Sequence, residues 1–306
     1  QFHGKKPPLQ RAIYRHVKEA ATQRLLLEKG DIDIARNLAP QDIDAMKGRP
    51  DVQLTSTTKG TVYYLSLNQK NANLAKPEVR EALKWLVDYD ALGATLIKNI
   101  GVPHQNLLPS GMFGASSDKP YKYDPAKAQA LLAKAGLSQG FKVTMDTRTV
   151  QPVQGIAEAV QASAKRGGVQ IEIIPGDGKQ TLTKYRARKH DLYIGEWGAD
   201  YWDPHSNADA FLRNLDNSDN ASLKPLAWRN AWSAPELARE ADAAVLERDA
   251  AKRAKMYARL QAEFRAQSPF VMLYQQTQVA MLRSNVEGFR LGPTSDSTLV
   301  APVSKK

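Results

Sequence analysis

This sequence predicts an α/β fold in more than one lobe, and three observations carry that expectation: its length, its composition and its rhythm of strands and helices. At 306 residues the chain exceeds what one compact core usually organises, so two lobes are expected. Hydrophobic residues at 42% and charged residues at 25% are the values of an ordinary globular protein, which argues against disorder and fibrous classes. From Phe141 onward the reading is strand (Phe141 to Thr147), helix (Val153 to Arg166), strand (Val169 to Ile174), helix (Thr181 to Lys189) and strand (Asp191 to Trp197). A β-α-β-α-β succession implies a mostly parallel sheet whose ligand-facing edge lies at the carboxyl ends of its strands. Whatever follows Trp197 is then placed to meet a ligand.

The remaining elements are read in chain order. Arg11 to Val17 and Asp31 to Ala35 read as strands around a helix at Ala20 to Lys29, which Gly30 ends. Pro40 to Lys47 is a short helix, and Val52 to Thr58 with Thr61 to Asn68 reads as a hairpin turning near Lys59-Gly60. A polar connector, Gln69 to Lys76, precedes a helix that Pro77 opens and that runs to about Lys98. Asp124-Pro125, then Ala126 to Ala135, then Gly136, combine an N-cap, a proline at the first helical position and a terminating glycine in one element. Pro235 to Gln267 reads as one long or two consecutive helices stopped by Ser268-Pro269, and a strand pair spans Phe270 to Leu282.

Composition excludes several classes. There is no cysteine, hence no disulfide framework, no thiolate metal site and no cysteine nucleophile. Apolar runs such as Phe270 to Tyr274 stop at five residues, against the roughly 20 needed to span a bilayer. The chain opens Gln1-Phe2-His3-Gly4-Lys5 without an initiator Met or an apolar targeting region, as if cut from something longer. A net charge of +11 raises nucleic acid as a partner. The basic residues are interleaved with Asp, Glu and Ala, as in Lys122 to Lys134 and Arg248 to Arg265, so a solvated surface is the expectation and a nucleic-acid partner is not.

Most catalytic and metal motifs fail on spacing. Gly178-Lys179 lacks the first glycine of a phosphate loop, where Ile173 stands, and Gln180 occupies the magnesium-binding Ser/Thr position. The five histidines, His3, His16, His104, His190 and His205, never pair at helical metal spacing, so no metal site is expected. Glu196, Asp200 and Asp203 raise a carboxylate-dependent hydrolase. Continued as a strand, Glu196 and Asp200 would stand about 13 Å apart, beyond the roughly 5 to 9.5 Å of glycosidase pairs; a turn could close that gap.

The segment Glu196-Trp197-Gly198-Ala199-Asp200-Tyr201-Trp202-Asp203-Pro204 survives these tests. Two tryptophans and a tyrosine offer rigid apolar area, and Asp200 or Asp203 offers fixed negative charge, a combination suited to a cationic amphipathic ligand. Asp203, preceding Pro204, is expected to cap the next helix instead.

Several separated segments resemble, in order, the family-5 extracytoplasmic solute-binding proteins, receptors for dipeptides, oligopeptides and nickel in ABC transport. Tyr63-Tyr64-Leu65-Ser66-Leu67-Asn68 followed by Pro77-Glu78-Val79-Arg80-Glu81-Ala82-Leu83 is similar to the family's strand, hinge and helix, with Asp88-Tyr89-Asp90 beyond it. Tyr123-Asp124-Pro125 to Ala135-Gly136, Trp197-Gly198-Ala199-Asp200-Tyr201 and Ser268-Pro269-Phe270-Val271 match three further signatures. Trp202 departs from the small or polar residue common at its position, which narrows the expected pocket and puts long peptides in doubt.

The resemblance implies a two-lobed, periplasmic-binding-protein-like fold with a ligand cleft between lobes that close about hinge strands. Relatives carry a long stretch before the point where this sequence begins, so the first lobe is expected to be incomplete and an amino-terminal fragment to be a partner. Residues 1–68 and 276–306 then belong to lobe one and 69–275 to lobe two. The implied function is capture of a small ligand, most of all a short peptide, in the periplasm for an ABC permease of the inner membrane, without catalysis, cofactor or metal. Carried over by position, Asp200 receives an α-amino group, with Trp197, Tyr201 and Trp202 in the wall. Tyr63 and Tyr64 fall near the lobe junction, Arg186 near an arginine that neutralises ligand charge, and Tyr274 near the return crossing. The rival readings are the hydrolase and a basic interaction module.

Overall fold

A computed structural model describes residues 6–294 and 297–306. The expectation drawn from the first five residues, His3 included, lies outside the described residues. In chain order the elements are α1 (Ala20–Lys29), β1 (Ile34–Arg36), α2 (Pro40–Met46), β2 (Val52–Leu67), α3 (Pro77–Trp85), α4 (Tyr89–Ala94), β3 (Gly101–Pro103) and α5 (Pro125–Lys134). Then come β4 (Phe141–Arg148), α6 (Val153–Arg166), β5 (Val169–Gly176), α7 (Gly178–Arg186), β6 (Leu192–Gly198) and α8 (Pro204–Leu212). The chain closes with α9 (Leu226–Arg229), α10 (Pro235–Leu246), α11 (Ala250–Gln267), β7 (Phe270–Arg283), β8 (Val286–Glu287) and β9 (Ser304–Lys305).

The mixed α/β class is as expected, and the differences have local causes. Arg11 to Val17 forms no strand; residues 11–16 are exposed and pair with no strand among the described residues. The hairpin expected at Lys59-Gly60 is one continuous strand, β2, and the strand pair after Pro269 is likewise one strand, β7. The helix expected over 77–98 breaks in two, because the Asp88 carboxylate accepts the Ala91 N–H and starts α4 afresh. The stretch 235–267 likewise divides, with Asp249 capping α11 through the Lys252 N–H. Helix α7 begins at Gly178, earlier than expected, since Asp177 and Gln180 form a reciprocal capping box. The Gly178-Lys179 segment is therefore a helix start built on side-chain caps.

Two compact units emerge. The first comprises residues 1–59, 97–102 and 276–306, the second 60–96 and 103–275, so boundaries fall inside β2 and β7. In the first unit β1 runs antiparallel to the later part of β7, Ile34 facing Leu282. Leu27, Ile43, Met46, Val279 and Met281 form its core. Gly30, at φ 85, ends α1 in the left-handed conformation that glycine adopts without a Cβ penalty.

In the second unit, the later part of β2 pairs antiparallel with β6, from Thr61 with Gly198 to Leu67 with Leu192. Strands β6 and β5 both run parallel to β4, giving the local order β2-β6-β4-β5. Helix α6 connects β4 to β5 and α7 connects β5 to β6, so Arg148, Gly176 and Gly198 end their strands on one edge. Tyr64, Phe211, Phe264 and Phe270 interlock in the core at centroid spacings of 5.0 to 5.8 Å. Burying each phenylalanine contributes about 1.5 to 3 kcal/mol. Gly195 lies directly across from Tyr64, and a Cβ there would stand 2.6 Å from the tyrosine ring, so only glycine fits.

Candidate ligand-binding site

The turn that leaves β6 carries two aspartates with opposite fates. Asp203 caps α8, accepting the His205 N–H at 2.9 Å, and its two oxygens take Arg253 at 2.8 and 2.9 Å. That pairing is structural, as the Asp203-Pro204 step suggests. Asp200 is fixed through its backbone, whose N–H donates to the Ser206 hydroxyl at 3.0 Å. Its carboxylate is exposed and meets no side-chain donor among the described residues.

Asp200, Trp197 and Tyr201 line one cleft of about 400 Å³, within the usual range of small-ligand sites. Trp197 is half-buried and its indole Nε1–H has no acceptor among the described residues, while Tyr201 is 50% exposed. Trp202 does not line this cleft. Its ring lies so close over Gly60 that a Cβ there would stand 2.8 Å from it, leaving the indole 38% exposed on a fixed seat.

A second polar cluster lies at the strand ends. Arg148, the last residue of β4, pairs with Glu196 at 3.1 Å, and Glu196 faces Tyr63 across β2 and β6. Tyr63 stacks on Tyr274 at 4.3 Å with rings 8° apart. Burial, reinforced by the Glu196 charge, pushes the Tyr63 phenol well above its ordinary value, and burial with the Tyr63 neighbour does the same to Tyr274. Both phenols stay neutral and act as hydrogen-bond donors. Arg148 is absent from the sequence-based site, although its place at the end of a parallel strand was the available signal.

Two expected residues fall elsewhere. Tyr64, 1% exposed, is enclosed by Phe211 and Phe270 and has no face to turn to a ligand. Adjacent strand residues point to opposite faces, so Tyr63 and Tyr64 cannot serve one surface. Arg186 is exposed at the end of α7, outside the cleft that Asp200 lines. Glu196, bound by Arg148, is also outside it, so the carboxylate pair that a hydrolase requires is not brought into one cleft. Among the described residues, no group of three or more His, Asp or Glu could hold a metal ion, and no helix is long and apolar enough to cross a membrane.

The family model described as bacterial extracellular solute-binding proteins, family 5 (middle), matches residues 1–219. The chain belongs to this family. A dipeptide-binding protein of Escherichia coli is 26% identical over 298 residues, covering 95% of this chain and 55% of that protein. The family-5 chain thus spans about half the length of the curated relatives it matches. Its fold matches the periplasmic binding protein DppA of Helicobacter pylori in complex with the peptide STSA, with a TM-score of 0.84 at 22% identity, covering 95% of this chain and 56% of that one. It also matches a dipeptide-binding protein from Pseudoalteromonas in complex with Met-Leu, at TM-score 0.84 and 21% identity, over 100% of this chain and 60% of that one. The two-lobed periplasmic-binding-protein class is therefore the fold of this chain.

Proposed function

We propose that this family-5 chain belongs to a solute receptor that captures a short peptide in the periplasm and delivers it to an ABC permease, breaking no bond. The observation that carries the reading is the contrast within one turn: Asp203 is saturated by Arg253 and the α8 backbone, while Asp200 is anchored through its backbone N–H and its carboxylate has no side-chain partner among the described residues. An ammonium docking on Asp200 forms a charge-assisted hydrogen bond, and the Trp197 and Tyr201 rings bordering the same cleft supply apolar contact and cation–π attraction. The names of the relatives and the peptide complexes among the structural matches support a peptide as the ligand.

In this reading Tyr63 and Tyr274, with the Arg148–Glu196 pair, form a second polar wall at the strand ends. Trp202 offers a fixed aromatic surface beside the turn. Arg186 acts through charge from the end of α7. Tyr64 supports the strand from inside the core without touching ligand.

Native mass spectrometry of the purified chain, followed by calorimetric titration with alanyl-alanine, tests the proposal. Asp200→Ala is expected to weaken binding by about 2 to 5 kcal/mol, with the dipeptide recovered intact by chromatography. Unchanged affinity, or hydrolysis products, would overturn it.

A further inference from the structure

The segment between α8 and α9, residues 213–225, forms neither helix nor strand, yet it supplies Leu215, Asp216, Leu223 and Lys224 to the wall of the Asp200 cleft. Without a regular backbone ladder, side chains must hold such a wall. One buried cation gathers its first half. The Arg188 side chain is 2% exposed. One terminal nitrogen donates to the Asn217 carbonyl at 2.9 Å and to Asp219 at 3.1 Å, and the other donates to Asn217 Oδ1 at 2.7 Å. The guanidinium also lies 4.5 Å over the ring of Trp228, whose indole N–H donates to the Ser218 carbonyl at 2.8 Å. Asn217 extends the hold: its Oδ1 accepts from Asn214 Nδ2 at 3.0 Å, and its Nδ2 donates to the Ala231 carbonyl at 3.1 Å.

Two features make arginine unfavourable at this position. Arg188 follows the last turn of α7 at φ 58, in the left-handed region. Its N–H donates to the Tyr185 carbonyl and the Lys189 N–H to the Lys184 carbonyl, both at 3.1 Å, which is the helix ending where glycine is ordinarily favoured. The charge is also incompletely paired: Asp219 is its one carboxylate among the described residues, is shared with Lys70 at 2.9 Å, and the Arg188 Nε–H has no acceptor among them. A charge taken out of water with incomplete pairing opposes folding. Nor does the turn depend on the guanidinium, because Asn68 Nδ2 donates to the Arg188 carbonyl at 3.0 Å and to the His190 carbonyl at 2.7 Å, fixing the backbone. What the fork does hold is the loop that borders the cleft, and strain kept in place by its surroundings is a mark of functional positions.

Resting on the peptide-receptor reading, we infer that Arg188 is a positioning residue for the ligand cleft: from inside the unit it holds residues 214–219, so that this wall is formed before the ligand arrives. Arg188 does not line the cleft and touches no ligand. It acts by removing an ordering cost that binding would otherwise have to meet.

Hydrogen exchange and calorimetry with alanyl-alanine, both on the whole chain, test this. Arg188→Met keeps an unbranched stem beside Trp228 and removes the buried charge, so the fold is expected to survive. Asn217→Ala cuts the same connection from an exposed residue, and it alone decides should Arg188→Met fail to fold. Both variants are expected to bind alanyl-alanine about 5-fold to 30-fold more weakly. In both, the amides of residues 214–219 exchange faster in the free protein and regain protection at saturating dipeptide, while residues 199–203 exchange as before. A purely structural role predicts a lowered melting temperature with unchanged affinity of the folded molecules. Unchanged affinity, or unchanged exchange at residues 214–219, overturns the Arg188 assignment and leaves the receptor reading standing. If alanyl-alanine does not bind the unsubstituted protein, both fall together.

Discussion

Two groups of aromatic side chains in the same unit behave differently. Tyr64, Phe211, Phe264 and Phe270 are each at most 1% exposed and fill one another's edges and faces. Trp197, Tyr201 and Trp202, strung along the exit of β6, are left half-buried or open near a carboxylate with no side-chain partner among the described residues. Ring chemistry is common to both groups, so it is not what distinguishes core from site. What distinguishes them is closure: the first group has satisfied its surface and contributes stability, and the second keeps apolar surface open, which in the proposed receptor a ligand covers.

The largest effect is expected in the core. Phe264→Ala removes the ring that stacks on Phe270 and abuts Phe211, and is expected to cost about 3 to 5 kcal/mol in urea unfolding. Peptide affinity measured well below the unfolding transition should be unchanged. A loss of affinity without loss of stability would mean that the two groups are not separate.

Lys84 extends the comparison to charge. Against the exposed Asp200, this amine is 3% exposed, and its Nζ donates to the Arg265 carbonyl. Burial, with help from nearby Arg80 and against the pull of Glu81, lowers its pKa to about 7. The unfolded chain therefore binds more protons than the folded one between about pH 7 and the ordinary lysine value, and stability rises with pH across that window. The contribution is lost as pH falls toward 7. Lys84→Met should gain most, on the order of a few kcal/mol, at and below pH 7, with the advantage shrinking toward pH 10; melting temperatures across that range check the sign.

Asp203→Ala sharpens the comparison within the turn. It removes the α8 cap and a partly exposed ion pair, so a stability cost of about 0.5 to 2 kcal/mol is expected. Asp200→Ala should shift unfolding by less than about 0.5 kcal/mol, because no side chain among the described residues pairs with its carboxylate. The reverse order would place Asp200 among the structural residues.

Much of this was legible in the residues. The α5 signal was complete, with Asp124 accepting the Lys127 N–H, Pro125 at the first position and Gly136 beyond the end. Asp203 was read as a cap from its proline neighbour for the same local reason. The continuity of β2 was not legible, since Lys59-Gly60 reads locally as a turn and only pairing partners far along the chain keep it extended. The break at residues 86–88 was missed because hydrophobic spacing continued through it and the sole signal was the Asp88 side chain. In the site, Asp200 came from one contiguous segment. Arg148 did not, because no spacing rule links it to Glu196, which only the sheet brings beside it. Tyr64 departs from the expectation because adjacent residues of a strand face opposite sides of the sheet, and its side is the core.

In the proposed receptor, Asp200 holds the ammonium of the ligand. Calorimetric titration of alanyl-alanine against N-acetyl-alanyl-alanine tests it most directly, since acetylation removes only that charge. The account predicts that acetylation weakens binding at least as much as Asp200→Ala does, and that the Asp200→Ala variant no longer distinguishes the two peptides. Equal affinity for both peptides in the unsubstituted protein would contradict it.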